Sequence, residues 1–125
     1  MEINIKSIPV KQLIERYKVF SAGDYWRTAE NTVQIRVADL RNPNMEFLIA
    51  LHELVEEWLC NKRGIKETDI QKFDIEHSHL FEPGNEPDAP YYNEHQVATI
   101  IEMIMCRELD IKWSDYDEAI GKIGV

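Results

Sequence analysis

Val33, Ile35 and Val37 alternate with Gln34 and Arg36, the two-residue period of a strand with one buried face. Tyr25 to Arg27 is similarly β-rich, and Ala29, Glu30 and Asn31 suit a turn, so 25–27 and 32–37 read as a β-hairpin. Ahead of it, MEINI alternates as a short strand would. Ser7, Ile8 and Pro9 read as an N-cap followed by a proline in the first turn, opening a helix over 10–20.

Beyond the hairpin the period lengthens to that of a helix. RNPN is loop and offers Asn42 or Asn44 as a cap for a helix from about 45 to 62. That helix is stopped by Asn61, Lys62, Arg63 and Gly64, with the glycine free to take the left-handed turn that ends helices. KETDIQKFDIEHSHL reads as a further helix, with Thr68 and Gln71 at capping-box spacing. FEPGNEPDAP, with three prolines and a glycine, is an irregular loop. A second long helix spans 91–109 and carries an apolar stripe at Val97, Ile100, Ile101, Ile104 and Met105. Ser114 would cap a short last helix, with Trp113 packed on the body. These elements predict an α+β fold. It is a helix-rich single domain over 1–125, with an N-terminal β-hairpin and two long packed helices.

Length and composition agree with that picture. A chain of 125 residues, 44% apolar and 30% charged, supports one soluble domain with a core. No apolar run approaches the roughly 20 residues that span a bilayer. The first ten residues lack the pattern of a signal peptide. Cys60 and Cys106 are too few for a disulfide framework and fall in helical patterns, so reduced buried thiols and a cytoplasmic location are expected. The net charge of −9 disfavours a nucleic-acid partner. Between Lys72 and Arg107 there is no Lys or Arg, while seven carboxylates and three of the four histidines fall in that gap. Such a stretch suits a cation, or is a solvated acidic face.

Charge changes the picture most inside FLIALHELVEEWLC, residues 47–60. His52, Glu53, Glu56 and Glu57 interrupt an otherwise apolar helix. At about 100° per residue, His52 and Glu56 share one face and Glu53 is rotated beside them. Glu57 reads as solvent-facing. Imidazole and carboxylate together suit a divalent metal, zinc foremost, but one helix supplies only two such ligands. The second long helix offers His95 and Glu102, seven apart on one face with Thr99 between them. Packed together, the helices would bring His52, Glu56, His95 and Glu102 around a divalent ion. The alternative is a hydrogen-bonded His–Glu network without metal.

The arrangement NTVQIRVADL…EFLIALHELVEEWL resembles the small zincin-like metallopeptidases, over roughly residues 9–109. In that family a strand precedes a helix bearing H-E-x-x-H, and a later helix gives the third zinc ligand. The resemblance implies a zincin-like topology and a hydrolase, in particular a metallopeptidase with a peptide substrate. Glu53 would be the general base. His52 and the residue at Glu56 would be zinc ligands, and Glu94 or His95 the third, with helical phase favouring His95. The chain departs from the family at Glu56, where a histidine is expected, so the motif reads HExxE. The added negative charge lowers the metal's Lewis acidity and weakens its pull on the pKa of bound water. The chain also resembles small proteins of phages and mobile elements, a likeness that carries no chemistry.

Three other readings compete. Glu76 and His79 have the E-x-x-H spacing of di-iron bundles, but that chemistry needs the motif on two helices. His77 and His79 could instead form a lid or lie on the surface. The paired acidic helices also resemble all-α nucleotide pyrophosphohydrolases, against which stand the histidines, the hairpin and the missing basic cluster. A non-enzymatic interaction protein would use its His/Glu cluster structurally and expose a patch built from Tyr91, Tyr92, Trp58 and Trp113. Asp74 and Asp88 are possible partners for the histidines. No Gly-rich phosphate loop is present.

Overall fold

The computed structural model describes residues 1–17 and 21–123, with the side chains of 14–17 outside that description. Three strands form the sheet: β1 (Ile3–Ile8), β2 (Gly23–Arg27) and β3 (Val33–Ala38). β3 is central, paired in parallel with β1 (Ile3 opposite Val33) and antiparallel with β2 (Tyr25 opposite Ile35). The expected hairpin is therefore β2–β3, closed by Thr28 and Thr32 with Asn31 at φ 64°. The first strand is longer than MEINI suggests. It continues through Ser7, so Ser7 pairs with Val37 and caps no helix; its hydroxyl donates to Glu46. The helix that follows, α1 (Val10–Tyr17), begins after Pro9, and its expected continuation over 18–20 lies outside the described residues.

Alternation on β3 divides the sheet's faces. Val33, Ile35 and Val37 are fully buried against Leu48, Ile49 and Ala50 of α2 (Pro43–Lys62). On the other face Arg36 stacks over Trp26 at 5.0 Å and donates to Asn4 and Gln34. Asn42 caps α2 by accepting from Met45 N, while Glu46 reaches back to the Asn42 amide. Gly64 ends the helix at φ 72°, as the sequence requires.

α3 (Glu67–Glu76) is capped by Lys66 without a side-chain bond, so Thr68 and Gln71 form no capping box. It stops short of the expected 80, where His77 donates Nδ1–H to Phe73 O and competes with the helical ladder. The proline-rich loop holds one 3₁₀ turn, Pro83–Asn85, and leads into α4 (Tyr92–Glu108). α5 (Trp113–Gly121) is capped at Lys112, not at Ser114, which is exposed. Trp113 does pack on the body, edge-on to Tyr116 at 5.4 Å. The result is a small α+β domain of a three-stranded sheet and five α-helices among the described residues. No helix among those residues is long and apolar enough to cross a membrane.

α4 departs from expectation in a way that matters. Its buried face is Glu94, His95, Ala98, Glu102 and Cys106. The apolar stripe exists but mostly faces outward: Val97, Ile100 and Ile104 are exposed. A helix has one inward face, and here the polar groups occupy it. The aromatic patch does not form either, since Tyr91 is buried, Tyr92 and Trp113 are half-buried, and only Trp58 is exposed.

Candidate metal centre

α2 and α4 lie antiparallel, because His52 meets Glu102 while Glu56 meets His95 and Arg63 meets Glu94. The first two contacts are polar pairs between the two inward faces; Arg63 reaches in from the half-exposed end of α2. Three atoms able to ligate a metal, one per residue, converge: His52 Nε2, Glu56 Oε2 and His95 Nδ1. Their separations are 3.1 Å between His52 and Glu56, 2.9 Å between Glu56 and His95, and 3.2 Å between the two histidines. All three residues are buried, at 5–7% exposure. A tetrahedral zinc with bonds near 2.0–2.1 Å sets its ligand atoms about 3.3 Å apart. The triangle is within a few tenths of an ångström of that.

With Glu56 ionised, protons do not meet all three sides of this triangle. His52 Nδ1 lies 2.8 Å from Glu102 Oε1, and a carboxylate only accepts, so Nδ1 carries hydrogen. If Nε2 of His52 and Nδ1 of His95 both donated to Glu56, two N–H groups would face each other at 3.2 Å. While Glu56 is a carboxylate, one contact of the three is left without a hydrogen bond in any histidine tautomer. A cation meets all three, since each atom then offers a lone pair.

The surroundings fix these atoms. Glu102 was expected among the ligands; it stands instead behind His52, with its second oxygen accepting from the Tyr116 hydroxyl. That is the support a metal-bound imidazole needs, holding its tautomer and orientation. The second oxygen of Glu56 accepts from Tyr25 at 2.9 Å. Burial works against the Glu56 carboxylate, but hydrogen bonds from His52 and His95 outweigh it and hold it down to about 2. For His52, burial alone would lower the pKa; its bonds to Glu102 and Glu56 win and raise it well above the usual value. Gly84 forms the wall against His95, since a Cβ there would lie 2.6 Å from His95 Cγ. Gly23 does the same for Glu53, at 2.8 Å from its Cγ and Oε1. Among the described residues nothing hydrogen-bonds His95 Nε2; the Glu82 carboxylate is 3.9 Å away.

A cavity of about 200 Å³ opens onto His52, Glu53, Glu56 and His95. Its walls include the carboxylates of Asp24, Glu67, Asp74 and Glu82, and no Lys or Arg among the described residues. Burial, reinforced by the Glu56 charge, raises the Glu53 pKa well above the carboxylate range.

Asp74 accepts from Tyr91, which lies edge-on to His95 at 5.9 Å. Burial, partly offset by that bond, pushes Asp74 up to about 6. A carboxyl with a raised folded pKa contributes stability that is full below about 4, its unfolded value, and lost as pH rises through 6. Allowing for solvent screening, the change is about 2 kcal/mol. Asp74→Asn is expected to abolish it: urea melts at several pH values should show the wild type losing about that much relative to the variant between pH 4 and 7. A difference that stays constant across this window would refute the assignment.

Glu57 corrects another expectation. It is not solvent-facing but 2% exposed, gripped by Arg27 through two hydrogen bonds of 2.7 and 3.1 Å. Glu94 is turned from the ligand triangle and pairs with Arg63 at 2.6 Å. Thr99 donates to the His95 carbonyl. Asp88, Glu76 and His79 are exposed, His77 stacks on Phe73 at 3.8 Å, and neither histidine lines the cavity. Tyr25, Gly84 and Tyr116 were not foreseen. Only the glycine had a signal, standing alone among prolines in the loop before α4. Both cysteines are free and buried, and burial pushes Cys60 up to about 12. Compared with family models, curated proteins and solved structures, the chain matches none.

Proposed function

We propose that the protein is a divalent-metal hydrolase of zincin-like design, with zinc held by His52, Glu56 and His95 and a peptide as substrate. One observation carries this reading: three buried atoms able to ligate a metal within 2.9–3.2 Å of one another, a contact set that histidine protons do not fully meet while Glu56 is ionised. The run of β3 into the helix bearing His52, Glu53 and Glu56, with His95 on a later helix, supports the zincin-like part. When bound, the metal would polarise a substrate carbonyl and acidify water. Glu53, beside the ligands and facing the cavity, accepts the water's proton and returns it to the leaving amine. Its raised pKa suits a group that must do both. Glu102 and Tyr116 keep His52 oriented. Two reduced thiols fit a cytoplasmic setting.

A purely structural cluster is the rival, favoured by the depth of the ligands. The cavity that reaches them argues for an open coordination position instead. A nucleotide substrate is disfavoured, because no Lys or Arg among the described residues lines that cavity to meet a phosphate.

The test is Glu53→Gln in metal-loaded protein. Peptide cleavage, assayed against a mixed peptide library, is expected to fall about 10²–10⁴-fold. Metal content should stay at the wild-type level. A metal-loaded wild type that cleaves nothing in the library would leave the centre structural.

A further inference from the structure

Every exposed position of α4 between Asn93 and Arg107 is apolar: Val97, Ile100, Met103 and Ile104, between 38% and 57% exposed. In a chain with 30% charged residues and net charge −9, such a stretch is out of character. It is not the helix's core face, which the His/Glu cluster occupies. These four side chains leave on the order of 350 Å² open to water, the larger part of the apolar area in one side of a standard interface of roughly 800 Å².

We propose that this face of α4 joins a second copy of the chain, the two α4 helices packing antiparallel about a two-fold axis near Ile100. The spacing is that of a coiled-coil seam. Asn93, Val97, Ile100, Ile104 and Arg107 advance in steps of four, three, four and three. Read against itself in reverse about Ile100, Ile100 meets Ile100 of the partner subunit, Asn93 meets Arg107 of the partner subunit, and Val97 and Ile104 pack against Met103 and Gln96 of the partner subunit. The polar ends meet as amide and guanidinium, which hydrogen-bond, and not as two like charges. Elsewhere two acidic copies repel; along this strip no carboxylate is brought toward another. Such an interface is isologous, with one patch serving both chains.

The experiment is sedimentation equilibrium on wild type and on Ile100→Glu, which puts two carboxylates face to face on the axis. Wild type is expected at twice 14.7 kDa in the micromolar range. The variant should sediment as a single chain, its dissociation constant raised more than about 100-fold. Its far-ultraviolet circular dichroism should be unchanged. Ile100→Cys guards against a variant that misfolds. With Cys60 and Cys106 buried, oxidation should cross-link two chains through position 100 alone. A wild type that stays at 14.7 kDa throughout overturns the proposal. So does a dimer that Ile100→Glu leaves intact, or one that Ile100→Cys fails to cross-link.

Discussion

His52→Ala and His95→Ala should each strip the protein of its metal. Wild type purified without chelator is expected to carry one zinc per chain, and each variant close to none, by elemental analysis. His52 Nε2, Glu56 Oε2 and His95 Nδ1 form one triangle, and removing a corner leaves two ligands, too few to hold a divalent ion against water. Altering groups that only orient a ligand costs about 10–100-fold in affinity, so losing a ligand outright should cost more than about 100-fold. Glu102→Gln and Tyr116→Phe should fall in the milder range, because they loosen His52 without removing it. Metal that binds only the folded chain also stabilises it, so added zinc should raise the wild-type melting temperature and leave both histidine variants unmoved. A wild type that takes up no metal would return the triangle to ordinary polar packing.

Arg27→Ala is expected to destabilise the fold by about 3–5 kcal/mol without touching the metal ligands. Arg27 projects from β2 and grips both oxygens of Glu57 on α2, with the two side chains 14% and 3% exposed. Its guanidinium also lies 5.2 Å over the Trp58 ring and bonds Asn31. Truncation leaves a carboxylate buried and unmatched, the costly half of a broken pair. Arg27→Lys keeps the charge but loses the two-pronged geometry, so an intermediate loss is expected. Arg27→Ala with Glu57→Gln should recover much of the deficit, since no bare charge is then left inside. Urea denaturation of the four proteins reads this directly. A single variant within 1 kcal/mol of wild type would mean that Glu57 finds water or another partner.

The contrast between these two sites shows what the sequence made legible. The hairpin, the two long helices and the grouping of His52, Glu56 and His95 follow from periodicity and phase, which are local properties. Glu57 did not follow: a glutamate next to Glu56 reads as solvent-facing unless its partner is known. That partner is Arg27, thirty residues earlier on another element. Phase puts Glu102 on the right face but does not give which nitrogen of His52 it meets, and it meets Nδ1 rather than joining the triangle. The α4 stripe was visible, yet placing it alongside His95 and Glu102 required one helix to bury two faces. Helical phase alone could have exposed that conflict.

Gly84 ties the loop before α4 to the ring of His95 so closely that no side chain fits between them. The contact implies a reciprocal linkage. If displacing the loop frees the imidazole, then occupancy of the imidazole must hold the loop by an equal free energy. The loop would thus report the state of the metal site, with amide exchange around Gly84 slowing when the ion is bound and quickening when it leaves.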